Sequence, residues 1–272
     1  MLKVTIGQYY PAQSFIHRLD PRMKLLCTML FIVFLFFVNN FLGYAMAFVL
    51  LATVIKVSKV PPKFLLRGLR AIIFIIIFTA ILNIFFTAGE TIVFEWRWMR
   101  ISQEGLLNAA RMALRLTMLI IGSSILTLTT TPIQLTDAIE SALKPLKKIR
   151  VPAHEIAMMM TIALRFIPTL IEEMDKIMKA QMARGADFDT GGIIKKARSL
   201  VPLLVPLFIS AFRRAEDLAL AMESRCYRGD IGRTRMKQMR YALRDLAAFI
   251  IILSFIAGIF VLNHVAAVYG IW

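Results

Sequence analysis

The stretch AIIFIIIFTAILNIFFTA, Ala71 to Ala88, runs through 18 residues without a charge. As a helix rising about 1.5 Å per residue it covers roughly 27 Å, close to the ~30 Å hydrocarbon core of a bilayer. Working outward from it, Gly105 to Thr130 and Leu246 to Val268 have similar length and character. On the other side, Leu25 to Val38 and Phe41 to Ile55 are apolar runs parted by Asn39-Asn40. Each is short alone. Asp20-Pro21 reads as an N-cap followed by the first helical residue, so the first helix starts near Pro21. Arg22 and Lys24 then reach back to headgroups, and Lys56 and Lys59 anchor the second run in the same way. A single re-entrant hairpin stays open as the other reading of these two runs.

Composition agrees with spans. Of 272 residues 58% are hydrophobic and 18% charged, with mean hydropathy +0.70; soluble domains are about 45–50% apolar and ~25% charged. Met1 to Asp20 is polar and mixed, unlike a cleavable signal peptide. Cys27 and Cys226 make neither a disulfide framework nor a metal-binding spacing. The expectation is an all-α integral membrane protein with about five transmembrane helices.

The loops orient it. Lys3, Arg18, Arg22 and Lys24 precede or open the first span against Asp20 alone, and Lys56, Lys59, Lys63, Arg67 and Arg70 separate the second from the third. The next loop is mixed, Glu90, Glu95 and Glu104 against Arg97 and Arg100. From Pro132 to Arg244 there are 20 Lys and Arg against 12 Asp and Glu, and nothing after the fifth span is charged. Basic loops belong in the cytoplasm, so the N-terminus is expected inside and the C-terminus outside. Leu200 to Phe212 (LVPLLVPLFISAF) would break this rule if it crossed, because Arg213 to Arg244 would then lie outside. Its 13 residues also suit a buried or interfacial helix. The organisation expected is a membrane region over 1–131, a cytoplasmic helical region over 132–241 and a last span over 242–272.

Within the cytoplasmic region Thr131-Pro132 opens a short helix limited by Pro145, and Val151-Pro152 opens a long one. Ile156, Met160, Ala163, Ile167, Leu170, Met174 and Ile177 recur at spacings of 4, 3, 4, 3, 4 and 3, which makes one apolar stripe. Glu172–Lys176 and Asp175–Lys179 are candidate i,i+4 pairs, Pro168 is a bending point, and Gly185 is a stop after Arg184. A second long helix over about Ile193 to Arg225 carries Pro202 and Pro206 and ends at Ser224-Arg225-Cys226, with Gly229 shortly after. Two long helices thus end in a small residue followed by arginine, the arginines 41 positions apart. Dipole complementation explains either ending alone. The pair suggests more, since guanidinium offers a rigid, always charged fork for carboxylates and carbonyls in a partner's groove.

These residues carry a resemblance. GQYYPAQSFIHRLDPRMKLL (Gly7 to Leu26), TTPIQLTDAIESALKPLKKIRVP (Thr130 to Pro152) and ALRFIPTLIEEMDKIMKAQMARGADF (Ala163 to Phe188) resemble the transmembrane coupling subunit (T component) of energy-coupling factor transporters. The likeness covers most of the chain and is weakest in the apolar spans. That family carries two Ala-Arg-Gly type motifs. Ala183-Arg184-Gly185 matches the first in full, while Ser224-Arg225-Cys226 keeps the arginine of the second and leaves the backbone geometry around it open. The resemblance implies a subunit of an ABC-type importer in a prokaryotic cell membrane. Two cytosolic ATPase subunits would each accept one arginine tip, and a separate membrane subunit would bind a vitamin or other micronutrient. A dedicated cobalt or nickel importer of the same family stays open. The apolar stripe, with Met158, Met159 and Met160 as adaptable packing, would both pair the helices and receive the binding subunit.

Other classes fit less well. No G-x-x-x-x-G-K-[ST] loop is present, so nucleotide sits on a partner and the chain is expected not to be an enzyme, with no catalytic residues and no cofactor or metal of its own. Ser123 and Ser124 lie in a span, but His17, His154 and His264 lie outside the apolar centres. An ion-coupled secondary transporter would show repeats and mid-membrane ionisable groups. Only Arg111 and Arg115 qualify, read either as a substrate contact or as side chains snorkelling outward or pairing with Glu104. Asn83 reads as glue between helices, and Gly43/Ala47 and Ser254/Gly258 as close-packing pairs. Nucleic acid would account for the net charge of +16 but not for the spans.

Overall fold

The computed structural model describes residues 9–87, 92–96, 99–149, 152–186, 188, 192–229 and 239–269. Along them run α1 (Pro21–Leu35), α2 (Phe41–Ser58), α3 (Pro62–Phe86), β1 (Ile92–Trp96), β2 (Met99–Ser102), α4 (Gln103–Thr129), α5 (Pro132–Leu143), a 3₁₀ turn (Lys144–Ile149), α6 (Ala153–Ala183), α7 (Ile193–Ser224) and α8 (Leu243–Tyr269). The chain divides into two compact units, Gly7–Ala138 with Gln238–Trp272, and Ile139–Lys237, the boundary falling inside α5.

The first unit is built by α1 to α4 and α8. Asp20 caps α1 through its Oδ1, which accepts from the Arg22 N–H at 2.9 Å, with Pro21 in the first turn as expected. Side chains of α1, α2, α4 and α8 close over one core, including Phe31, Leu35, Ala47, Leu51, Met118, Ile125, Phe255 and Ile259. Only 22–28% of the apolar windows of α2, α4 and α8 is buried, which leaves faces such as Leu42, Phe48, Ile250 and Val261 for lipid. In lipid, association rests on close packing and polar links rather than hydrophobic exclusion. A Cβ on Gly122 would lie 2.8 Å from the Phe31 ring, and one on Gly258 would lie 2.9 Å from Met46 Sδ. Gly43 is as tightly held, against Val38.

Polar links pin both ends of α1 to its neighbours. At the start, Asp245 Oδ1 of α8 accepts from the Asp20 N–H at 2.7 Å, and buried Lys24 donates to the carbonyls of Thr129 at 2.8 Å and His17 at 3.2 Å. Lys24 therefore points into the bundle rather than back to headgroups. At the other end, Asn263 of α8 donates to the Phe37 carbonyl at 2.8 Å, Asn40 donates to Leu262 at 3.4 Å, and Arg115 donates to the Val38 carbonyl at 3.1 Å. Non-helical backbone at membrane depth needs such partners. Asp20 to Phe37 thus lies alongside Asp245 to Asn263, so α1 and its terminal turn traverse the depth of α8 although the helix proper has 15 residues. Arg115 lies over the Phe36 ring and Arg111 over Phe41. Arg115 is thus engaged at the α1–α2 turn through the Val38 carbonyl, and Arg111 lies beside it over the first ring of α2.

Four helices are long and apolar enough to cross among the described residues: α2, α4, α6 and α8 through Ala266. Pro62–Arg70 and Ile72–Phe86 of α3, bent by 56°, add a fifth as one broken span. The break falls where the basic stretch meets the expected third span. Asn83 donates to Thr79 of its own helix at 2.8 Å, not to a neighbour. Between α3 and α4 the expected loop carries a short antiparallel hairpin, with Trp96 opposite Met99 and a register shift between Ile92 and Phe94. Its β-branched and aromatic residues favour strands.

Candidate functional site

The second unit holds the long helices. Just before it, Thr131 and Gln134 exchange side-chain to backbone hydrogen bonds, both 3.3 Å, the reciprocal cap that starts α5. α6 and α7 have 31 and 32 residues, roughly 45–48 Å each at ~1.5 Å per residue. Pro168, Pro202 and Pro206 lie inside them, each removing one ladder N–H. Glu173 accepts from Ser210 and, at 2.9 Å, from Arg214, while Tyr227 beyond α7 meets His154 in the first turn of α6. Positions rising along α6 meet positions falling along α7, so the pair is antiparallel and its C-terminal ends point in opposite directions.

Both ends close in the same way. At the first, Arg184 is the C-cap, the Gly185 N–H donates to Met182 at 3.0 Å, and the Ala186 N–H donates to Gln181 at 3.0 Å. At the second, Arg225 is the C-cap, the Cys226 N–H donates to Glu223 at 2.8 Å, and the Tyr227 N–H donates to Met222 at 3.1 Å. These are the two bonds of a Schellman cap, which needs a left-handed residue just past the cap. Gly185 supplies it with φ +89°, and Cys226 with φ +54°. The backbone geometry left open at the second motif is therefore that of the first, reached without glycine.

Ala183 and Ser224 are the last residues of their helices, and Ser224 Oγ donates to Ala221 at 3.0 Å. Ala183, Arg184, Gly185, Ser224, Arg225 and Cys226 are all exposed. Neither arginine has an ion-pair partner among the described residues. The structure thus presents two exposed arginines without an ion-pair partner among the described residues, each at the capped end of one of two antiparallel helices. No three His, Cys, Asp or Glu side chains gather to hold a metal among the described residues.

Two features escape the sequence reading. Among the described residues the i,i+4 pairs Glu172–Lys176 and Asp175–Lys179 do not close; Glu173 instead clamps α7 through Ser210 and Arg214. The apolar stripe of α6 is not buried within this chain, since Met160, Ala163 and Ile167 are exposed and the rest half-buried; Ala153 and Ala157 are the buried positions. On α7, Leu204, Val205, Phe208, Ile209 and Phe212 are likewise exposed.

A family model described as cobalt transport protein, CbiQ, matches residues 12–238. The chain is similar to energy-coupling factor transporter transmembrane proteins EcfT of several bacteria. It is 60% identical over 250 residues to that of Thermosediminibacter oceani, covering 92% of this chain and 94% of the relative. To that of Clostridium kluyveri it is 58% identical over 246 residues, 90% and 91% of the two chains. To that of Bacillus subtilis it is 45% identical over 263 residues, 97% and 99%.

Proposed function

Because the chain belongs to the CbiQ family, as a multi-pass, non-catalytic transmembrane coupling component of energy-coupling factor transporters, we propose that Arg184 and Arg225 are the knobs through which it receives force. Two cytosolic ATPase subunits each accept one knob. The observation that carries this reading is the pair of matched caps holding unpaired, exposed arginines at opposite ends of two antiparallel helices. Arginine suits the task because its charge persists and its fork matches carboxylates and carbonyls.

Closing of the ATPase pair on ATP moves the two helix ends. The Glu173–Ser210–Arg214 clamp is the pivot, with Pro168 and Pro206 five and four residues before Glu173 and Ser210. The exposed apolar positions of α6 and α7 receive a separate membrane subunit that binds the vitamin or other micronutrient, and their motion tilts it. The cytoplasmic region is 132–241, the N-terminus is cytoplasmic and the C-terminus external. A dedicated cobalt importer is the second reading, favoured by the description of the matching family.

The test is capture of the ATPase pair by the membrane-embedded chain. Arg184→Glu with Arg225→Glu abolishes it, each single variant leaving partial capture through the other knob. Undiminished capture by the double variant overturns the reading.

A further inference from the structure

The two tips share a cap but differ in the residue just past it. After the first cap comes Ala186, and a Cβ placed on Gly185 would meet nothing within 4 Å. After the second comes Tyr227, whose hydroxyl lies 3.3 Å from His154 Nε2, while His154 Nδ1 lies 3.3 Å from Glu140 Oε1. A carboxylate only accepts, so Nδ1 carries the hydrogen, and with the imidazole neutral Nε2 accepts from the Tyr227 O–H. The His154 and Glu140 side chains are 13% and 9% exposed, so the inner bond is shielded from water, while Tyr227 and its bond to His154 lie at the surface. It joins three elements: α5 through Glu140, the first turn of α6 through His154, and the end of α7 through Tyr227. Tyr227 is also the residue whose N–H closes the Arg225 cap on Met222. Movement of its ring therefore loads the cap directly.

We infer that Tyr227 and His154 are positioning residues that latch the Arg225 tip to α5 and the base of α6, making the two ATPase docks mechanically unequal: tied at Arg225 and, among the described residues, untied at Arg184. The inference rests on the reading of the arginines as docks. An ATPase seated at Arg225 pushes on a knob already tied to two other helices, so its stroke is passed on to α5 and α6. One seated at Arg184 acts on the end of a single helix, eleven residues beyond the Glu173 clamp.

Two measurements test it and separate its failure from that of the docking reading. In the full chain in lipid nanodiscs, Tyr227→Phe speeds hydrogen exchange in the peptide covering residues 222–228 roughly threefold to tenfold and leaves residues 181–187 unchanged. His154→Leu does the same, while His154→Gln, which keeps an acceptor at the reach of Nε2, retains most of the protection. No change at 222–228, or an equal change at both tips, overturns the latch. In the assembled transporter, Tyr227→Phe speeds ATPase release several-fold when Arg184→Glu leaves only the second dock, and has no effect when Arg225→Glu leaves only the first. Equal acceleration in both backgrounds overturns the inequality. Unchanged exchange protection in the arginine variants together with undiminished ATPase capture removes the docks and leaves the latch.

Discussion

Cys226 holds a left-handed backbone that Gly185 holds at the matching place on the other tip. For a side chain with a Cβ that conformation costs about 1–2 kcal/mol, which the surrounding cap offsets. Cys226→Gly is therefore expected to stabilise the second cap by about 1 kcal/mol and to slow hydrogen exchange at residues 226–227. Faster exchange there would contradict the strain assigned to Cys226. Gly185→Val runs the other way, costing about 1–2 kcal/mol at the first cap. His17 gives a pH-dependent contribution. Its Nε2 lies 3.0 Å from the Tyr10 carbonyl and its Nδ1 2.7 Å from Ser14 Oγ, while burial first, and then Lys24, push its pKa below the ordinary 6.5. The folded chain prefers neutral His17, so its stabilising share is complete above pH 6.5 and declines as pH falls below that value. Thermal unfolding in detergent should drop between pH 7.5 and 5.5, and His17→Gln should drop less. An identical loss in the variant would exclude His17.

At the scale of elements, the membrane bundle depends on a few buried links. Asp245→Ala leaves the N–H groups of Asp20 and Ala242 without their acceptor, at a cost of about 2–4 kcal/mol, read as a lower unfolding temperature. Gly122→Leu drives a side chain into Phe31 and costs about 1–3 kcal/mol. The helix starts and stops were legible in the sequence, because caps are local: Asp20 before Pro21, Thr131 before Pro132, Gly185 after Arg184. The partners across helices were not. Asp20 and Asp245, or Phe37 and Asn263, are more than 220 positions apart, and hydrophobic periodicity names a face without naming what it faces. For the same reason Glu172 and Asp175 read as the charged pairs while Glu173 makes the contact, and Arg115 read as a stray charge while it serves the Val38 carbonyl. At the candidate site the arginines were legible as a repeated ending. Their shared cap was hidden by Cys226, and Tyr227 and His154 gave no signal because 73 positions separate them.

Taken whole, the molecule comprises a membrane bundle and two long helices whose apolar sides and arginine ends are uncovered among the described residues. Its orientation is testable by itself: a membrane-impermeant thiol reagent should label an engineered cysteine near Trp272 from outside and one near Gly192 only after permeabilisation. The reverse pattern would invert the map. In the proposed function, force arrives from nucleotide hydrolysis on other subunits. This is tested most directly by solute uptake into vesicles holding the complete transporter. Uptake is expected to require ATP and to fall to background in the Arg184→Glu, Arg225→Glu double variant. Uptake by this chain alone, driven by an ion gradient, would contradict the claim.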